Sequence, residues 1–126
     1  MLANESQPVP SILLVDDDRD VAEALCTVLV DEGYEVATAA NGHEALMYLR
    51  SHSPPPRLIL LDVMMPVMDG YEFRIEQRRD PTIADIPVLV LTAGSMGERV
   101  AEMGVTGHMR KPVDLDKLLA EVANRS

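Results

Sequence analysis

Four of the five short segments that predict strands in this 126-residue sequence end beside polar residues that could do chemistry together. Asp16 and Asp17 follow the first segment, Asp62 the third, Thr92 the fourth and Lys111 the fifth. Three carboxylates that converge would repel one another unless a cation joined them. Carboxylate oxygens suit Mg²⁺, which keeps several of its waters and needs few protein ligands.

A lysine and a threonine beside such carboxylates are what a phosphoryl group needs. The lysine supplies a point charge and the threonine hydroxyl a hydrogen bond for the phosphoryl oxygens. A carboxylate can itself accept the phosphoryl group, which gives an aspartyl phosphate. Each signal alone has a plainer interpretation: paired aspartates often cap a helix, a role we expect of Asp18, and Thr92 and Lys111 could be turn residues. The joint placement at four strand ends favours the chemical interpretation.

The elements that must position these residues alternate between strand and helix. Strands are predicted at residues 12–15, 34–39, 58–61, 88–91 and near 108–110. A helix is predicted after each strand, the third ending at Arg79 and the last capped by Asp114. Because the strands are unbroken apolar runs, we expect a parallel sheet covered on both faces, with any ligand at the carboxyl ends of its strands.

The charge and composition exclude several classes of function. Eleven basic and 21 acidic residues give a net charge of −10, which argues against binding nucleic acid or anionic membranes. The single cysteine, Cys26, excludes an internal disulfide, suits a reducing cytosol, and is expected to be a plain buried thiol. With neither a signal peptide nor a membrane span, we expect a cytoplasmic protein with a flexible leader at 1–11 and one domain at 12–126.

Four stretches of the sequence together resemble the receiver domain of two-component response regulators. They are ILLVDDD (12–18), LILLDVMMPVMDG (58–70), IPVLVLTA (86–93) and GHMRKP (107–112). The Asp-x-x-Met-Pro-x-Met-Asp-Gly segment within the second stretch is highly specific. The resemblance implies a flavodoxin-like (βα)5 three-layer sandwich with a five-stranded parallel sheet in the order 2-1-3-4-5.

The same resemblance implies a role for each residue of the phosphoryl chemistry. Asp62 would be the phosphoacceptor, Thr92 would donate a hydrogen bond to one phosphoryl oxygen, and Lys111 would pair with another. The Lys111–Pro112 peptide bond would be cis.

The resemblance also implies a Mg²⁺ site. Asp17 and Asp62 would be ligands, Asp16 would act through a metal-bound water, and Met64 would offer its backbone carbonyl. The side chains of Met65 and Met68 would pack in the loop after the third strand.

The sequence departs from the family pattern at the switch position and in the helices. His108 stands where the family has an aromatic residue that swings inward with Thr92, which predicts either a weaker, pH-dependent switch or a histidine that merely packs on the sheet edge. Only 18 residues separate Thr92 from Lys111, which predicts a fourth helix about one turn shorter than usual. Arg74 and Gln77 occupy commonly apolar positions of the third helix, which indicates a partner surface or local looseness.

The function implied is a phosphorylation-dependent signalling switch. It would take its phosphoryl group from a histidine kinase or a phosphotransfer protein and signal by contact with an unknown downstream protein, without binding nucleic acid or membrane. It would be no enzyme beyond catalysing its own phosphorylation and dephosphorylation.

Two alternatives remain open. A degenerate receiver acting as a constitutive binding module conflicts with the presence of every key residue. A Mg²⁺-dependent phosphohydrolase of the haloacid-dehalogenase type, using Asp16 and Asp18, would leave residues 58–70 unexplained.

Overall fold

A computed structural model describes residues 11–52, 54–63, 67–92 and 102–125, in which five strands and four helices alternate. They are β1 Ser11–Val15, α1 Arg19–Asp31, β2 Glu35–Ala39, α2 Gly42–Ser51, β3 Leu58–Asp62, α3 Gly70–Arg79, β4 Val88–Thr92, β5 Gly107–Arg110 and α4 Leu115–Arg125. The predicted alternation is confirmed from β1 to β4 and from β5 to α4, with strand ends that differ by one residue at most. The shortened helix predicted between Thr92 and Lys111 lies largely outside the described residues, as does the predicted leader except for Ser11, which belongs to β1.

The five strands form one parallel sheet in the predicted order β2-β1-β3-β4-β5. The chain winds from β1 to β2 on one side and then crosses to β3 on the other, so the winding direction reverses between β1 and β3. Such a reversal is the position at which ligands bind in open parallel sheets.

Apolar side chains of β1, β3 and β4 alternate between two separate core layers. One layer joins Leu13, Val15, Ile59, Leu61, Val88 and Val90 to the inner faces of α2 and α3. The other joins Ile12, Leu14, Leu58, Leu60, Leu89 and Leu91 to those of α1 and α4. The predicted three-layer sandwich is therefore confirmed, and the unbroken apolar runs arise because the central strands are buried on both faces.

Polar caps fix where the helices begin. The side chain of Asp18 accepts the N–H groups of the first turn of α1, and that of Asp114 accepts Lys117 N–H at the start of α4. Both predicted caps are thereby confirmed. At α3, Asp69 and Glu72 form a reciprocal capping box, which satisfies two amide donors at the end of the loop that follows β3.

Candidate functional site

Strands β1 and β3 end beside one another and bring three aspartates together. Their register pairs Val15 with Leu61, so Asp16 and Asp62 lie next to each other at the carboxyl edge of the sheet. One carboxylate oxygen from each of Asp16, Asp17 and Asp62 lies within 4.8 Å of the others. The predicted convergence of these three residues is confirmed.

The three carboxylates differ in exposure. Asp16 and Asp62 are each 4% exposed, whereas Asp17 is exposed to solvent. Asp16 is oriented by the N–H of Asp18, which donates to its Oδ1 at 2.9 Å. The cluster is therefore a pocket with two buried walls and one side open to water.

Lys111 supplies the positive charge that faces this cluster. Its Nζ donates to Asp16 Oδ2 at 3.1 Å and lies 3.5 Å from Asp62 Oδ2. The side chain is 22% exposed, so most of its stem is covered. The Lys111–Pro112 peptide bond is cis, as the resemblance implies.

The environment of Lys111 changes its pKa in two opposing ways. Burial lowers the pKa, whereas the hydrogen bond to Asp16 and the negative charges of Asp62 and Asp16 raise it. The charges prevail and the net pKa is raised. The ammonium is therefore fully charged at neutral pH.

Thr92 ends β4 at the same edge. Asp62 pairs with Leu91 across the β3–β4 ladder, which places Thr92 one residue further along the neighbouring strand. Its side chain is buried, and its hydroxyl lies 3.4 Å from the carbonyl oxygen of Met109 on β5. The backbone N–H of Lys111 in turn donates to the Thr92 carbonyl, so the ends of β4 and β5 are joined.

The first residue of α3, Gly70, packs tightly against the end of β3. A Cβ atom on Gly70 would lie 2.7 Å from Val63 Cα and 2.8 Å from the carbonyl oxygen of Asp62. Only glycine permits so close an approach between the start of α3 and the end of β3. Between β3 and α3, Val67 has a φ of 68° and is 81% exposed.

Comparison with known proteins agrees with this geometry. The family model described as the response regulator receiver domain matches residues 12–123. The chain belongs to this family. The receiver domain is 41% identical over 123 residues to response regulator Rre1 of Synechocystis, and that match covers 94% of this chain and 52% of Rre1. The chain thus spans about half the length of this curated relative.

Solved structures share the fold. Chemotaxis protein CheY4 of Vibrio cholerae has a TM-score of 0.85 and 32% identity, covering 94% of this chain and all of that one. The phosphorylated cyanobacterial phytochrome response regulator RcpA has a TM-score of 0.78 and 30% identity, covering 93% of this chain and 91% of that one.

The donor atoms of this receiver domain fit the implied metal. Three carboxylate oxygens are hard ligands, and the exposed Asp17 leaves room for the waters that Mg²⁺ retains. Asp16, Asp17 and Asp62 are the residues that would hold the ion. The predicted ligand Met64, like Met65, lies outside the described residues, whereas Met68 packs against a core layer as predicted.

His108 and Cys26 differ in how far the structure agrees with the sequence-based expectations. His108 lies on β5, opposite Val90 in the β4–β5 register, and is exposed. Cys26 is half-buried rather than buried, because it lines an open groove of about 630 Å³ beside Asp16 and Asp17. The helical pattern places Cys26 on a turn of α1 but does not show that its neighbours leave this groove open.

Sequence reasoning missed the capping box and the glycine contact. Asp69-x-x-Glu72 fits the capping-box pattern and could have been found from the sequence. The need for glycine at position 70 could not have been found from the sequence, because it arises from a contact with β3 that exists only in the folded chain. No helix among the described residues is both long and apolar enough to cross a membrane.

Proposed function

We propose that this receiver domain accepts a phosphoryl group on Asp62 and signals through protein contacts that depend on that group. A histidine kinase or a histidine phosphotransfer protein is the donor, and the reaction depends on Mg²⁺. The single observation that carries the proposal is the position of Asp62, buried beside Asp16 and Asp17 with the Lys111 ammonium 3.5 Å from its carboxylate.

In the reaction, a carboxylate oxygen of Asp62 attacks phosphorus while the bond from phosphorus to the donor's leaving atom breaks. Lys111 turns from Asp16 toward an oxygen of the incoming group, and the Thr92 hydroxyl donates a hydrogen bond to another. When bound, Mg²⁺ would offset the repulsion among the carboxylates and the negative charge of the transferring group. Since the open side of the pocket admits water, the domain also hydrolyses its own acyl phosphate.

The phosphohydrolase alternative finds no support at Asp18. Its carboxylate accepts the N–H groups of Asp20 and Val21 and so caps α1. Asp18 is thus engaged in the helix cap and is not one of the three aspartates that cluster at the end of the sheet. The constitutive binding module is disfavoured because the three aspartates and Lys111 form an ordered cluster.

We further propose that Thr92 and His108 form the switch of the domain. Thr92 follows the phosphoryl group inward, and His108 moves from its exposed position on β5 toward the space that Thr92 vacates. Amide exchange on β5 before and after phosphorylation tests this in wild type and H108Y at about pH 6 and 8. Identical responses in the two proteins at both pH values would contradict a special role for the histidine.

Intact mass spectrometry tests the main proposal. Wild type incubated with Mg²⁺ and acetyl phosphate gains one phosphoryl group, D62N gains none, and D85N, altered at an exposed aspartate, behaves as wild type. Failure of wild type to gain mass would favour the constitutive module. Sustained turnover of small phosphate esters that is lost in D16N but kept in D62N would favour the hydrolase.

A further inference from the structure

Helix α3 carries two polar side chains, Arg74 and Gln77, that are hydrogen-bonded away from the aspartate cluster. Gln77 has no exposed surface, and its Nε2 donates to the carbonyl oxygens of Ile83 at 2.9 Å and Ile86 at 3.1 Å. Its Oε1 accepts a 2.7 Å hydrogen bond from Nη1 of the half-buried Arg74. The amide is thus bonded at both ends, as a buried polar group must be.

The guanidinium of Arg74 uses its other two nitrogens on a second segment. Nε donates to the carbonyl oxygen of Met103 at 2.9 Å, and Nη2 donates to that of Gly104 at 2.8 Å. Gly104 has a φ of 66°, so both carbonyls belong to a tight turn. A planar arginine fork fits this pair of acceptors in a way that a lysine ammonium cannot.

The four acceptor carbonyls lie just before two strands of the site. Ile83 and Ile86 precede β4, while Met103 and Gly104 precede β5. Thr106, the residue before β5, also bonds to the first residue of β4, because its N–H and hydroxyl both donate to Val88 O. α3 therefore holds the amino ends of the strands that end in Thr92 and lead directly to Lys111.

We propose that Arg74 and Gln77 are positioning residues for the phosphoryl site, which together set where β4 and β5 place Thr92 and Lys111. This inference rests on the function proposed above. It gives the pair a different role from the two drawn from the sequence: Gln77 is buried, so it is not part of a partner surface, and the hydrogen bonds of both residues argue against local looseness. Four strand residues at about 3.3 Å each carry the effect to the far edge of the sheet.

The variant R74M tests the proposal, because methionine keeps an unbranched stem but removes all three hydrogen bonds. R79M is its matched control, since Arg79 is an exposed residue of the same helix whose ion pair is with Glu76. With all proteins held well below their melting temperatures, we expect R74M to take up phosphoryl from acetyl phosphate roughly tenfold more slowly than R79M. R74K should recover only part of the rate.

Mg²⁺ affinity shows whether R74M displaces only Thr92 and Lys111 or loosens the whole site. We call the hydrogen bonds that Arg74 and Gln77 make to the segments before β4 and β5 the clamp. Asp16 and Asp17 follow β1 and Asp62 ends β3, so all three lie outside the clamp, and R74M should bind Mg²⁺ as tightly as wild type or more tightly. Loss of Mg²⁺ affinity in proportion to the rate would overturn the proposal. Equal phosphorylation rates in R74M and R79M, under conditions in which wild type is phosphorylated, would also overturn the proposal.

A readout independent of phosphorylation keeps the two proposals distinguishable. Hydrogen exchange at the Lys111 amide, which bonds Thr92 O, should be faster in R74M and in Q77L than in R79M. If that amide is unchanged in R74M and Q77L, the positioning role is wrong whatever the phosphoryl assay gives. If exchange at the Lys111 amide is faster in both variants but wild type accepts no phosphoryl group, the role of Arg74 and Gln77 in holding β4 and β5 is supported and the proposed function is wrong.

Discussion

At the scale of single residues, Lys111 is the group whose position matters most. Its Nζ lies closer to Asp16 than to Asp62, at 3.1 Å against 3.5 Å. A bound cation and a phosphoryl group would both compete for these partners. Lys111 therefore offsets part of the negative charge that the three carboxylates bring together.

Replacing Lys111 by methionine should separate metal binding from phosphoryl transfer. K111M removes a competing cation, so its Mg²⁺ affinity should rise, while loss of the charge that pairs with the phosphoryl oxygens should slow phosphorylation roughly hundredfold. Calorimetric Mg²⁺ titration and the acetyl phosphate assay measure the two effects. K117M, altered at an exposed lysine of α4, should match wild type in both.

The raised pKa of Lys111 predicts how its contribution to stability varies with pH. A group whose pKa is higher in the folded state stabilises that state fully below its unfolded pKa and stops doing so as pH rises through the folded pKa. The difference in unfolding free energy between wild type and K111M should be constant from about pH 6 to 9 and shrink above about pH 10.5. Urea unfolding at each pH measures it, and a difference that shrinks within the neutral range would contradict the assignment.

The positions of the site residues were predictable, because each stands at the end of a buried apolar run. Asp16 and Asp62 had to meet once β1 and β3 were neighbours in a parallel sheet. The preference of Lys111 for Asp16 was not predictable, since it depends on side-chain distances of a few tenths of an ångström. The bonds of Gln77 were not predictable either, as its acceptors lie on a loop brought near by the tertiary fold.

At the scale of elements, the junction between β3 and α3 is fixed by close backbone packing and by a helix cap. Gly70 packs against the backbone of Val63 and Asp62, and the capping box of Asp69 and Glu72 fixes the first turn of the helix. Both features fix the end of β3 and the start of α3 relative to one another.

Gly70 should tolerate no side chain. In G70A the new methyl would lie 2.8 Å from the Asp62 carbonyl oxygen, so the helix start or the strand end must shift. We expect a loss of about 1–3 kcal/mol in unfolding free energy together with a slower phosphorylation rate. I75A, which shortens a half-exposed side chain of the same helix, should leave the phosphorylation rate unchanged, and a G70A rate equal to that of I75A would contradict the contact.

The sequence predicted helices correctly where the apolar spacing and a capping residue indicate the same helix, as they do at α1 and α4. The prediction was least secure for α3, where Tyr71, Phe73 and Ile75 alternate with a strand-like period of two. Tyr71 and Phe73 are nonetheless both buried within a helix, and Ile75 is exposed, so the period of two does not continue along α3. Tertiary burial and the capping box overrode the local pattern.

At the scale of the whole molecule, the net charge of −10 has two parts. The cluster of Asp16, Asp17 and Asp62 concentrates negative charge in one pocket, and Lys111 offsets only one unit of it. The remaining excess lies elsewhere and opposes folding by general repulsion. Added salt and added Mg²⁺ should therefore stabilise the protein by different routes.

Mg²⁺ should raise the melting temperature more than NaCl at equal ionic strength. Specific binding adds about 1.4 kcal/mol when the free ion is at roughly ten times its dissociation constant, whereas NaCl only screens. D17N should lose the extra stabilisation by Mg²⁺, and D85N should keep it. Equal effects of Mg²⁺ on D17N and D85N would mean that the three aspartates are not a metal site.

Chemical trapping can show whether Asp62 carries the phosphoryl group. Borohydride reduces an aspartyl phosphate to homoserine, so wild type treated with acetyl phosphate and Mg²⁺ and then with borohydride can be digested and sequenced by mass spectrometry. The assignment of the phosphoryl group to Asp62 predicts homoserine in place of Asp62 and unchanged aspartate at Asp16 and Asp17. Homoserine at Asp16 or Asp17, or no homoserine at any of the three positions, would contradict it.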